Sequence, residues 1–450
     1  MRILIHSINF SPEMTGVGKY TGEMAEWLAL RGHEVRVVSA PPHYPQWRIY
    51  RGYHAWQFSR DTHVVAVGTA GTLDVFRCPA WIPRVPRGWK RILHLASFSV
   101  SSWPMMLIQV LWKPDVVLLV APTLFCFPQV LGVALLTGAT SWLHMQDFEV
   151  DTAFQLGDFS SNQLKRWVHS LERFVLLRFN RISSISTRMI ERLSTKGVDP
   201  ARAVLFPNWV DTSVIYPMLV PSSLRQELGI PADATVVLYS GNMGKKQGLE
   251  LLVEASCRLV ERTDIRFVFC GDGSYRQTFV QMATKNENVI ILPLQPTERL
   301  NDLLNLADIH VLPQVSGAAD LVMPSKLTGM MASGRAIVAT ALPGTQLFGV
   351  LEGRGIVTPP GDVDAFVAAL IRLADTPSLR QRIGEEARNY AISHLSSDQI
   401  LRQFELSLFK ECGVSFPDVQ TGSCAIENGA QAVDETVVPS ERLGEVLQKK

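Results

Sequence analysis

The sequence predicts an α/β protein built from two doubly wound, Rossmann-like domains that face a cleft. Short apolar runs alternate with helical stretches along most of the chain, and such runs are typical of buried parallel strands. The alternation stops at a proline-containing segment near residue 206 and begins again near residue 235. Two such halves joined by a linker indicate two sheets, whose ligands are expected at the carboxyl ends of the strands.

The first predicted domain covers residues 1–206. Its first strand leads into a loop at residues 9–19 and then into a helix that ends near Leu30. Gly32 and His33 separate this helix from the second strand. The predicted strands of this half are Arg2–Ile8, Glu34–Ser39, Val116–Val120, Thr140–His144 and Arg181–Ile185.

The second predicted domain covers residues 212–395 and follows the linker Phe206–Pro217. A separate helix is predicted at residues 396–412. The tail at residues 413–450 is polar and has no helical period, so we expect it to be disordered and outside the function. This half has predicted strands at Thr235–Ser240, Ile265–Cys270, Val289–Leu292 and Ile309–Pro313, and a predicted helix at Gly248–Glu261.

The composition limits the class of function. Apolar residues make up 47% of the 450 residues and charged residues 19%, which is enough apolar material for two cores. A net charge of +1 gives no case for nucleic acid as a partner. The six cysteines form no Cys-x-x-Cys pair, which argues against a zinc site and suits a reducing compartment. Met1 runs straight into an apolar strand, so we expect no signal peptide and a cytoplasmic location.

Two long segments lack acids and lysines and are therefore candidates for membrane contact. Ile92–Leu111 contains His94 and Pro104, whereas Val116–Gln146 divides at its prolines and glycines into a strand, a helix and a strand. A spanning helix needs about 20 mainly apolar residues. We expect both segments to lie in the core or at a membrane surface rather than to span a bilayer.

The segment at residues 321–340 combines a helix start with a lysine. Pro324, Ser325 and Lys326 precede a short apolar run, a Ser-Gly turn and a second apolar run. This order predicts a loop, a helix whose N-terminus faces the loop, a turn and a buried strand. Free N–H groups and an ammonium group at one point suit an anion such as a phosphate. The alternative is an ordinary αβ unit with a surface lysine.

Three glycine-containing loops follow predicted strands and could also bind phosphate. Gly16 and Gly18 follow the first strand, but Thr21 stands where a Gly-x-Gly-x-x-Gly pattern would end. The loop Ser240–Gly248 brackets two lysines with glycines, so it can offer backbone and ammonium donors to a diphosphate. Cys270–Gly273 ends a neighbouring strand of the same sheet. Tight turns with solvated lysines are the alternative interpretation.

A polar segment after a strand of the first half could supply acid–base chemistry. It contains His144, Asp147, Glu149 and Asp151, and we expect these side chains to face the cleft. A carboxylate can act as a base or stabilise positive charge, and histidine can accept a proton near neutral pH. A polar loop with capping acids is the alternative. A metal site is the weaker interpretation, because the sequence has no second cluster of ligands.

A basic, tryptophan-containing stretch precedes the first long apolar segment. Its composition suits contact with anionic lipid, with tryptophan at the level of the headgroups. A solvated basic loop is the alternative. The predicted membrane-surface residues are Trp81, Arg84, Arg87, Trp89, Lys90 and Arg91, and positive charge in the same half is added by Arg166, Arg173, Arg178 and Arg181.

Taken together, these motifs resemble the two-domain retaining glycosyltransferases of family 4, which have the GT-B fold. The resemblance covers residues 1–410 and depends on the order and spacing of the motifs, since each is only moderately specific alone. The matching motifs are the loop with Gly16 and Gly18, Arg31–Val35, Phe206–Asp211, Ser240–Asn242, Gly271–Gly273, and Pro324–Lys326 with Gly334.

The resemblance implies transfer of a sugar from a nucleotide donor with retention at the anomeric carbon. Residues 7–47 are similar to the fucosyltransferases of colanic-acid-type bacterial exopolysaccharide assembly. This implies GDP-fucose as the donor and, as the acceptor, a sugar on a lipid pyrophosphate at the inner face of the membrane. It implies no metal or cofactor, because cationic side chains and helix N-termini stabilise the departing diphosphate.

The same resemblance assigns roles to the residues of the matched motifs. The donor would lie on the second domain, and the acceptor on the first, near Gly16. The implied catalytic residues are Asp147, His144 and Lys326. The implied donor-binding residues are Gly16, Gly18, Gly241, Asn242, Lys245, Lys246, Gly271, Asp272, Asp320 and Ser325.

The chain departs from the family pattern at the contact to the donor ribose. Many members carry two glutamates eight positions apart, but Leu321 and Gly329 stand there in this sequence, and Asp320 is the nearest substitute. Asn242 and Gln247 stand where many members have arginine and lysine. The neighbouring lysines of that loop would then have to supply the positive charge.

Three alternatives remain at this point. A second GT-B activity, nucleotide-sugar 2-epimerisation, would need no lipid-facing surface. A nucleotide-sugar-binding protein without activity is compatible with the missing glutamates. A dehydrogenase is the most distant alternative, because the dinucleotide-binding fingerprint is incomplete.

Overall fold

The computed structural model describes residues 1–63, 71–85, 88–122, 124–148, 162–244, 247–315 and 324–413. The described residues belong to one compact unit.

The first half of the chain forms an eight-stranded sheet with the order β3-β4-β2-β1-β5-β6-β7-β8. Every described pair of neighbours is parallel except β3 and β4, which are antiparallel at one edge. The strands are β1 (Arg2–Ser7), β2 (Glu34–Ser39), β3 (Ser59–His63), β4 (Thr72–Arg77), β5 (Val116–Ala121), β6 (Thr140–Met145), β7 (Arg181–Ser184) and β8 (Ala203–Leu205).

The helices of the first half cover both faces of this sheet. α2, α3 and α4 share one apolar core with the sheet, while α1 packs into a second core on the opposite face. These helices and the next one along the chain are α1 (Gly16–Leu30), α2 (Trp89–Trp112), α3 (Phe127–Thr137), α4 (Asn162–Leu176) and α5 (Thr187–Thr195).

The second half forms a six-stranded parallel sheet with the order β11-β10-β9-β12-β13-β14. Its strands are β9 (Thr235–Ser240), β10 (Ile265–Cys270), β11 (Val289–Leu292), β12 (Ile309–Leu312), β13 (Ala336–Thr340) and β14 (Ile356–Thr358). Its helices are α6 (Ser223–Glu227), α7 (Glu250–Arg258), α8 (Arg276–Ala283), α9 (Leu300–Leu306), α10 (Lys326–Ala332), α11 (Gln346–Leu351), α12 (Val363–Asp375) and α13 (Pro377–His394).

The strand orders place a topological switch point in each sheet. β1 lies between β2 and β5, and β9 lies between β10 and β12, so successive connections leave these strands in opposite directions. A crevice opens at the carboxyl ends of the strands at such a point, and ligands of doubly wound sheets bind there. A ligand-binding site is therefore expected at the loops after β1 and β9.

The last helix returns to the first sheet. α14 (Ser397–Cys412) packs on the α1 face, where Phe404 stacks on Phe206 with ring centroids 4.1 Å apart. The buried carboxylate of Glu405 accepts a hydrogen bond from Arg31 and lies 2.9 Å from a ring nitrogen of His33. The predicted C-terminal helix is thus present, and the domain boundaries at 206, 212 and 395 stay predictions.

The predicted fold class is confirmed. Each strand predicted by name is present, with ends that differ by at most one residue. The apolar segment Val116–Gln146 divides into β5, α3 and β6, as expected. The other apolar segment lies in α2, which is long and apolar enough to cross a membrane by length and composition alone, although a third of its most apolar window is buried against the protein.

Candidate active site

Three loops of the second half meet at the carboxyl edge of the sheet. They follow β9, β10 and β12, and the last of them leads into α10, whose first residue is Lys326. The predicted order of loop, helix, turn and buried strand is present, since Gly334 adopts a positive φ of 67° between α10 and the fully buried β13. A phosphate group at the β9–β12 switch point would meet this edge.

Lys326 is half-buried and lies against the loop that follows β9. Its Nζ is 4.1 Å from the centroid of the Tyr239 ring and donates a hydrogen bond of 3.4 Å to Gln247 Oε1. Its Cδ is 3.3 Å from the point where a Cβ on Gly241 would stand. The ring and the amide therefore hold the ammonium group over the backbone of the β9 loop.

Burial lowers the pKa of Lys326 to about 7. Desolvation disfavours the charged form, and no described carboxylate forms an ion pair with this ammonium group to offset it. An anion that binds beside Nζ would supply the missing negative charge and raise the pKa again. The arrangement thus favours an anionic ligand at this point.

Glycines let the loops after β9 and β10 pack backbone against backbone. Gly241 has φ 134° and Gly271 has φ 155°, a region that other residues rarely adopt. A Cβ on Gly271 would stand 1.9 Å from the carbonyl oxygen of Gly241. The amide N–H of Gly241 donates to the Cys270 carbonyl at 3.0 Å, and that of Met243 donates to the Asp272 carbonyl at 2.8 Å. The two loops form one rigid wall beside Lys326.

Asn242 and Asp272 lie on this wall with exposed side chains. Asp272 accepts a hydrogen bond of 2.8 Å from the amide of Gly273, and the carbonyl of Asn242 accepts one of 2.6 Å from the Tyr239 hydroxyl. Burial raises the pKa of Tyr239, so this hydroxyl keeps its proton and remains a donor. Tyr239 thus makes two contacts at this edge: its hydroxyl binds the β9 loop, and its ring packs against the ammonium group of Lys326.

The glycine loop of the first half is held in place by a buried glutamate. Glu13 Oε1 accepts hydrogen bonds from the amides of His43 and Tyr44 at 2.8 and 2.9 Å. A Cβ on Gly18 would stand 2.5 Å from Glu13 Oε2, while Gly16 has φ 62° and faces the Tyr44 ring. Glycine is required at these positions because the start of α1 lies directly on the carboxylate that anchors it.

The start of α1 and the start of α10 adjoin each other. Burial raises the pKa of Tyr20, and Thr328, two residues after Lys326, lies close enough to the Tyr20 hydroxyl to lower that pKa in part. Thr297 Oγ1 also approaches Met14 Sδ at 3.9 Å. The N-terminal loop and the Lys326 loop, which are far apart in sequence, therefore belong to one site.

The expectation that His144 faces the cleft is wrong. His144 is 3% exposed, its Nδ1 lies 2.9 Å from Ser183 Oγ, and its ring packs on Phe206. Burial lowers its pKa to about 3, so the ring stays neutral and structural. Asp147 follows the carboxyl end of β6, as predicted, and is half-buried.

Other predicted residues divide into those that are described and those that are not. Ser325 is exposed and precedes α10 without a capping hydrogen bond from its side chain. Gly329 lies in α10, where a Cβ would stand 3.3 Å from the Leu304 side chain of α9. The predicted residues Glu149, Asp151, Lys245, Lys246, Asp320 and Arg87 lie outside the described residues.

Three residues of the site were not predicted. Tyr239 holds Lys326, and Glu13 anchors the N-terminal loop. Gln314, which follows β12, has a buried Oε1 with no hydrogen-bond partner in the described part of the chain. An aromatic residue two positions before the loop glycine was the available signal for Tyr239, whereas no sequence pattern distinguishes Glu13 or Gln314 from loop residues.

The predicted membrane-surface residues do not all point outward. Trp81 is half-buried, since its amide donates to Ser97 Oγ at 3.0 Å and its carbonyl lies 2.7 Å from His94 Nδ1. It therefore anchors the stretch to α2 rather than forming a free surface. Arg84, Trp89, Lys90 and Arg91 are exposed.

The described residues contain no group of three or more histidine, cysteine, aspartate or glutamate side chains that could hold a metal ion.

Comparison with known protein families gives two matches that together cover most of the described chain. Residues 15–209 match the "Glycosyl transferase 4-like domain" and residues 222–390 match "Glycosyl transferases group 1". The first match contains the Gly16 loop, and the second contains Lys326 and the β9 loop.

Individual relatives agree with the family matches. The chain is 39% identical over 414 residues to the Escherichia coli K12 protein WcaI, described as a colanic acid biosynthesis glycosyl transferase, covering 90% of this chain and 98% of the relative. Sucrose-phosphate synthase of Thermosynechococcus elongatus has a similar structure, with a TM-score of 0.72, 17% identity, and coverage of 92% of this chain and 100% of that one. Anabaena HepE, solved with UDP-glucose, has a TM-score of 0.65 and 14% identity, covering 91% of this chain and all of HepE.

Proposed function

The chain belongs to the group 1 glycosyltransferases of the family 4 type, with the GT-B fold, and from this premise we propose that it transfers fucose from GDP-fucose to a lipid-pyrophosphate-linked acceptor. The anomeric configuration of the donor is retained, and the product contributes to a colanic-acid-type exopolysaccharide. The role described for the Escherichia coli relative supports the pathway. The donor sugar rests on the resemblance of residues 7–47.

The position of Lys326 is the observation that carries the donor half of the proposal. Its half-buried ammonium group lies at the β9–β12 switch point, and no described carboxylate neutralises it. During transfer, the bond between the sugar and the diphosphate breaks and negative charge gathers on the leaving diphosphate. A cation held in place before the reaction stabilises that charge without having to reorganise. The β9 and β10 loops, where Asn242 and Asp272 are exposed, would hold the rest of the diphosphate.

The acceptor half of the proposal rests on the first sheet. Asp147 follows β6, and the start of α1 adjoins α10, where Tyr20 lies close to Thr328. We assign Asp147 to stabilising positive charge on the reacting sugar or accepting the proton of the acceptor hydroxyl. His144 takes no part in this assignment, because it is buried against Phe206.

The second candidate, an epimerase, is not favoured, because the matched families and the Escherichia coli relative are glycosyltransferases. One feature supports the other candidate function, which is binding of a nucleotide sugar without transfer. Gly329 stands where many family members have a ribose-binding glutamate, and it packs toward Leu304.

A donor screen by thermal shift tests the proposed donor. A ligand that binds only the native state raises the unfolding midpoint. At a ligand concentration of 100 times its Kd, the free energy of unfolding increases by about 2.7 kcal/mol. We expect GDP-fucose to raise the midpoint more than UDP-glucose or other UDP-sugars at equal concentration. A larger shift with a UDP-sugar would contradict the fucose assignment while leaving the glycosyltransferase family intact.

A further inference from the structure

The helix α2 differs from a helix of an ordinary soluble protein in the composition of its exposed side. After the basic residues Lys90 and Arg91 in its first turn, every exposed side chain of α2 is apolar, and these residues repeat at helical spacing. They include Leu93, Val100, Trp103, Leu107 and Leu111, of which Leu111 is 85% exposed. Surface helices normally place such residues toward the core and polar residues toward water. Exposed apolar residues in a continuous stripe indicate a partner.

The side of α2 that faces the sheet is partly polar and fully engaged. Ser102 Oγ donates to Gln129 Oε1 at 3.0 Å and lies 3.1 Å from His6 Nε2. Gln109 Oε1 accepts a hydrogen bond of 3.0 Å from Arg36. These buried hydrogen bonds fix the rotation of α2, so its apolar side cannot turn inward without leaving buried polar groups unpaired.

The apolar side of α2 continues onto neighbouring helices of the same layer. On α3, Leu135 is 85% exposed and Leu136 is also exposed. On α4, Trp167, Leu171 and Phe174 form an exposed stripe at helical spacing, while the opposite side of that helix is buried. All three helices share the core on one face of the first sheet, so these stripes belong to one outer surface.

In the part of the chain that the structure describes, the exposed charged side chains on these three helices are all basic. α2 and α3 contain no aspartate or glutamate, and the single acid of α4, Glu172, is buried beside Lys196 at 2.5 Å. The exposed charged residues that border the stripes are Lys90, Arg91, Arg166, Arg173 and Arg178. A surface that combines apolar stripes, tryptophan and basic side chains is complementary to an anionic lipid leaflet.

The opposite face of the same sheet shows that this pattern is local. The outward side of α14 carries Asp398, Arg402, Gln403 and Lys410, with Leu406 as an isolated exposed apolar residue. α14 is therefore an ordinary amphipathic helix. The contrast excludes a general excess of apolar surface as the reason for the stripes on α2, α3 and α4.

We propose that the outer surface of α2, α3 and α4 is a docking face that inserts into the headgroup and acyl boundary of an anionic membrane. α2 lies along the membrane plane with its apolar stripe in the lipid, and the arginines and lysines contact lipid phosphates. It does not cross the bilayer, because its other side is hydrogen-bonded to the sheet through Ser102 and Gln109. This deepens the membrane location of the proposed function and extends the basic stretch before α2 into a surface of three helices.

Flotation with lipid vesicles tests this docking face without donor or acceptor. The full chain is mixed with vesicles of phosphatidylglycerol and phosphatidylcholine, and with vesicles of phosphatidylcholine alone. We expect binding to the anionic vesicles and weaker binding to the neutral ones. The double variant Leu107→Ser, Leu111→Ser should lose roughly tenfold or more of the partition coefficient, because two buried apolar contacts with lipid are removed.

The matched control is Leu406→Ser on α14, which should leave the partition coefficient unchanged. Because both sets of residues are exposed, neither variant should lower the unfolding midpoint. Equal flotation of the double variant and the wild type would overturn the proposal. Failure of the wild-type chain to bind anionic vesicles would also overturn it. A stable dimer that the double variant dissociates, together with no vesicle binding, would assign the face to a second copy instead. GDP binding by the same samples reports separately on the donor site.

Discussion

Lys326 combines a structural cost with the function that we propose for it. Its ammonium group leaves water, and burial lowers its pKa to about 7. The Tyr239 ring and the Gln247 amide compensate in part, at 4.1 and 3.4 Å. A bound diphosphate would neutralise the ammonium charge of Lys326. The same charge would therefore contribute both to donor binding and to catalysis.

The Lys326→Gln variant tests this use of charge. At pH 6.5 it should bind GDP about 2 kcal/mol more weakly, roughly 30-fold, because a charged hydrogen-bond donor is lost. In the wild type the affinity should fall as pH rises above about 7. Below that pH the ammonium form is already present, whereas above it the ligand must raise the pKa of Lys326 and take up a proton. Calorimetric titration with GDP from pH 6.5 to 9 measures both effects.

Lys410→Gln, on the exposed side of α14, is the matched control and should bind GDP normally. Equal affinity of the Lys326→Gln variant and the wild type, or an affinity without pH dependence, would remove Lys326 from the donor site.

A second prediction concerns the glycine wall. Gly271→Ala should cost about 2 kcal/mol or more of unfolding free energy and weaken GDP binding, because its Cβ would stand 1.9 Å from the Gly241 carbonyl oxygen at a positive φ. Gly244→Ala is the control, since the nearest neighbour of its Cβ would be Nδ2 of the Asn242 side chain, at 3.6 Å. Urea denaturation measures the free energy of unfolding of both variants, and titration measures their affinity for GDP. Equal values for the two variants would contradict the close packing of the β9 and β10 loops at Gly271.

The structure brings some of the predicted residues together and separates others. Lys326 and the glycine of the β9 loop adjoin, as a lysine at a helix start and glycines after neighbouring strands led us to expect. His144 was misplaced because alternation along β6 decides which side of the sheet it faces, and the packing of Phe206 from the linker covers that side. Contacts between distant parts of the chain carry that information.

At the level of elements, the longer apolar strands were predicted, whereas β3, β4 and the three-residue strands β8 and β14 were not. β3 (sequence SRDTH) has no apolar run, and it is held at the sheet edge by pairing with β4, where Arg60 and Thr62 hydrogen-bond Asp74. Alternation in β4 hides Asp74 among apolar neighbours. The periodicity that identifies buried parallel strands is absent from such an edge.

One element-level prediction concerns the linker. Arg388 of α13 donates hydrogen bonds to the carbonyls of Ile215, Ala332 and Thr212 at 2.7, 2.8 and 2.9 Å. It thereby ties the linker to the end of α10. Arg388→Met should lower the free energy of unfolding by about 2–4 kcal/mol, because three carbonyls lose a charged donor.

Arg382→Met, on the exposed side of the same helix, provides the comparison and should change stability by less than about 0.5 kcal/mol. Urea denaturation measures both variants. Similar losses would show that Arg388 contributes no more than a surface arginine.

At the scale of the whole molecule, the two sheets and the returning helix place residues of both halves at the candidate site. The start of α1 packs on the first sheet and α10 on the second, and Tyr20 of α1 lies close to Thr328 of α10. The two chain crossings between the halves lie side by side, since the Val210 amide donates to Leu395 and the Ser397 amide donates to Val210. Two αβ alternations predicted the sheets, but nothing local in the sequence predicted this pairing.

Buried neutral histidines should make the fold sensitive to acid. Burial lowers the pKa of His6, His144 and His310 to about 3. The unfolded chain binds protons at these residues below about pH 6.5 and the folded chain does not, so stability falls as pH falls through that window. Each histidine contributes a loss of about 2 kcal/mol at most by pH 5. Denaturation in urea at pH 7.5, 6 and 5 should show a falling free energy of unfolding, and a rising one would contradict this reading of the core.

Product analysis by mass spectrometry tests the central claim most directly. The full chain is incubated with GDP-fucose and a lipid-pyrophosphate-linked sugar, next to the Lys326→Gln variant. We expect the acceptor to gain one deoxyhexose and GDP to be released, with turnover strongly reduced in the variant. An epimerised free nucleotide sugar, or tight donor binding with no change to any acceptor, would contradict it.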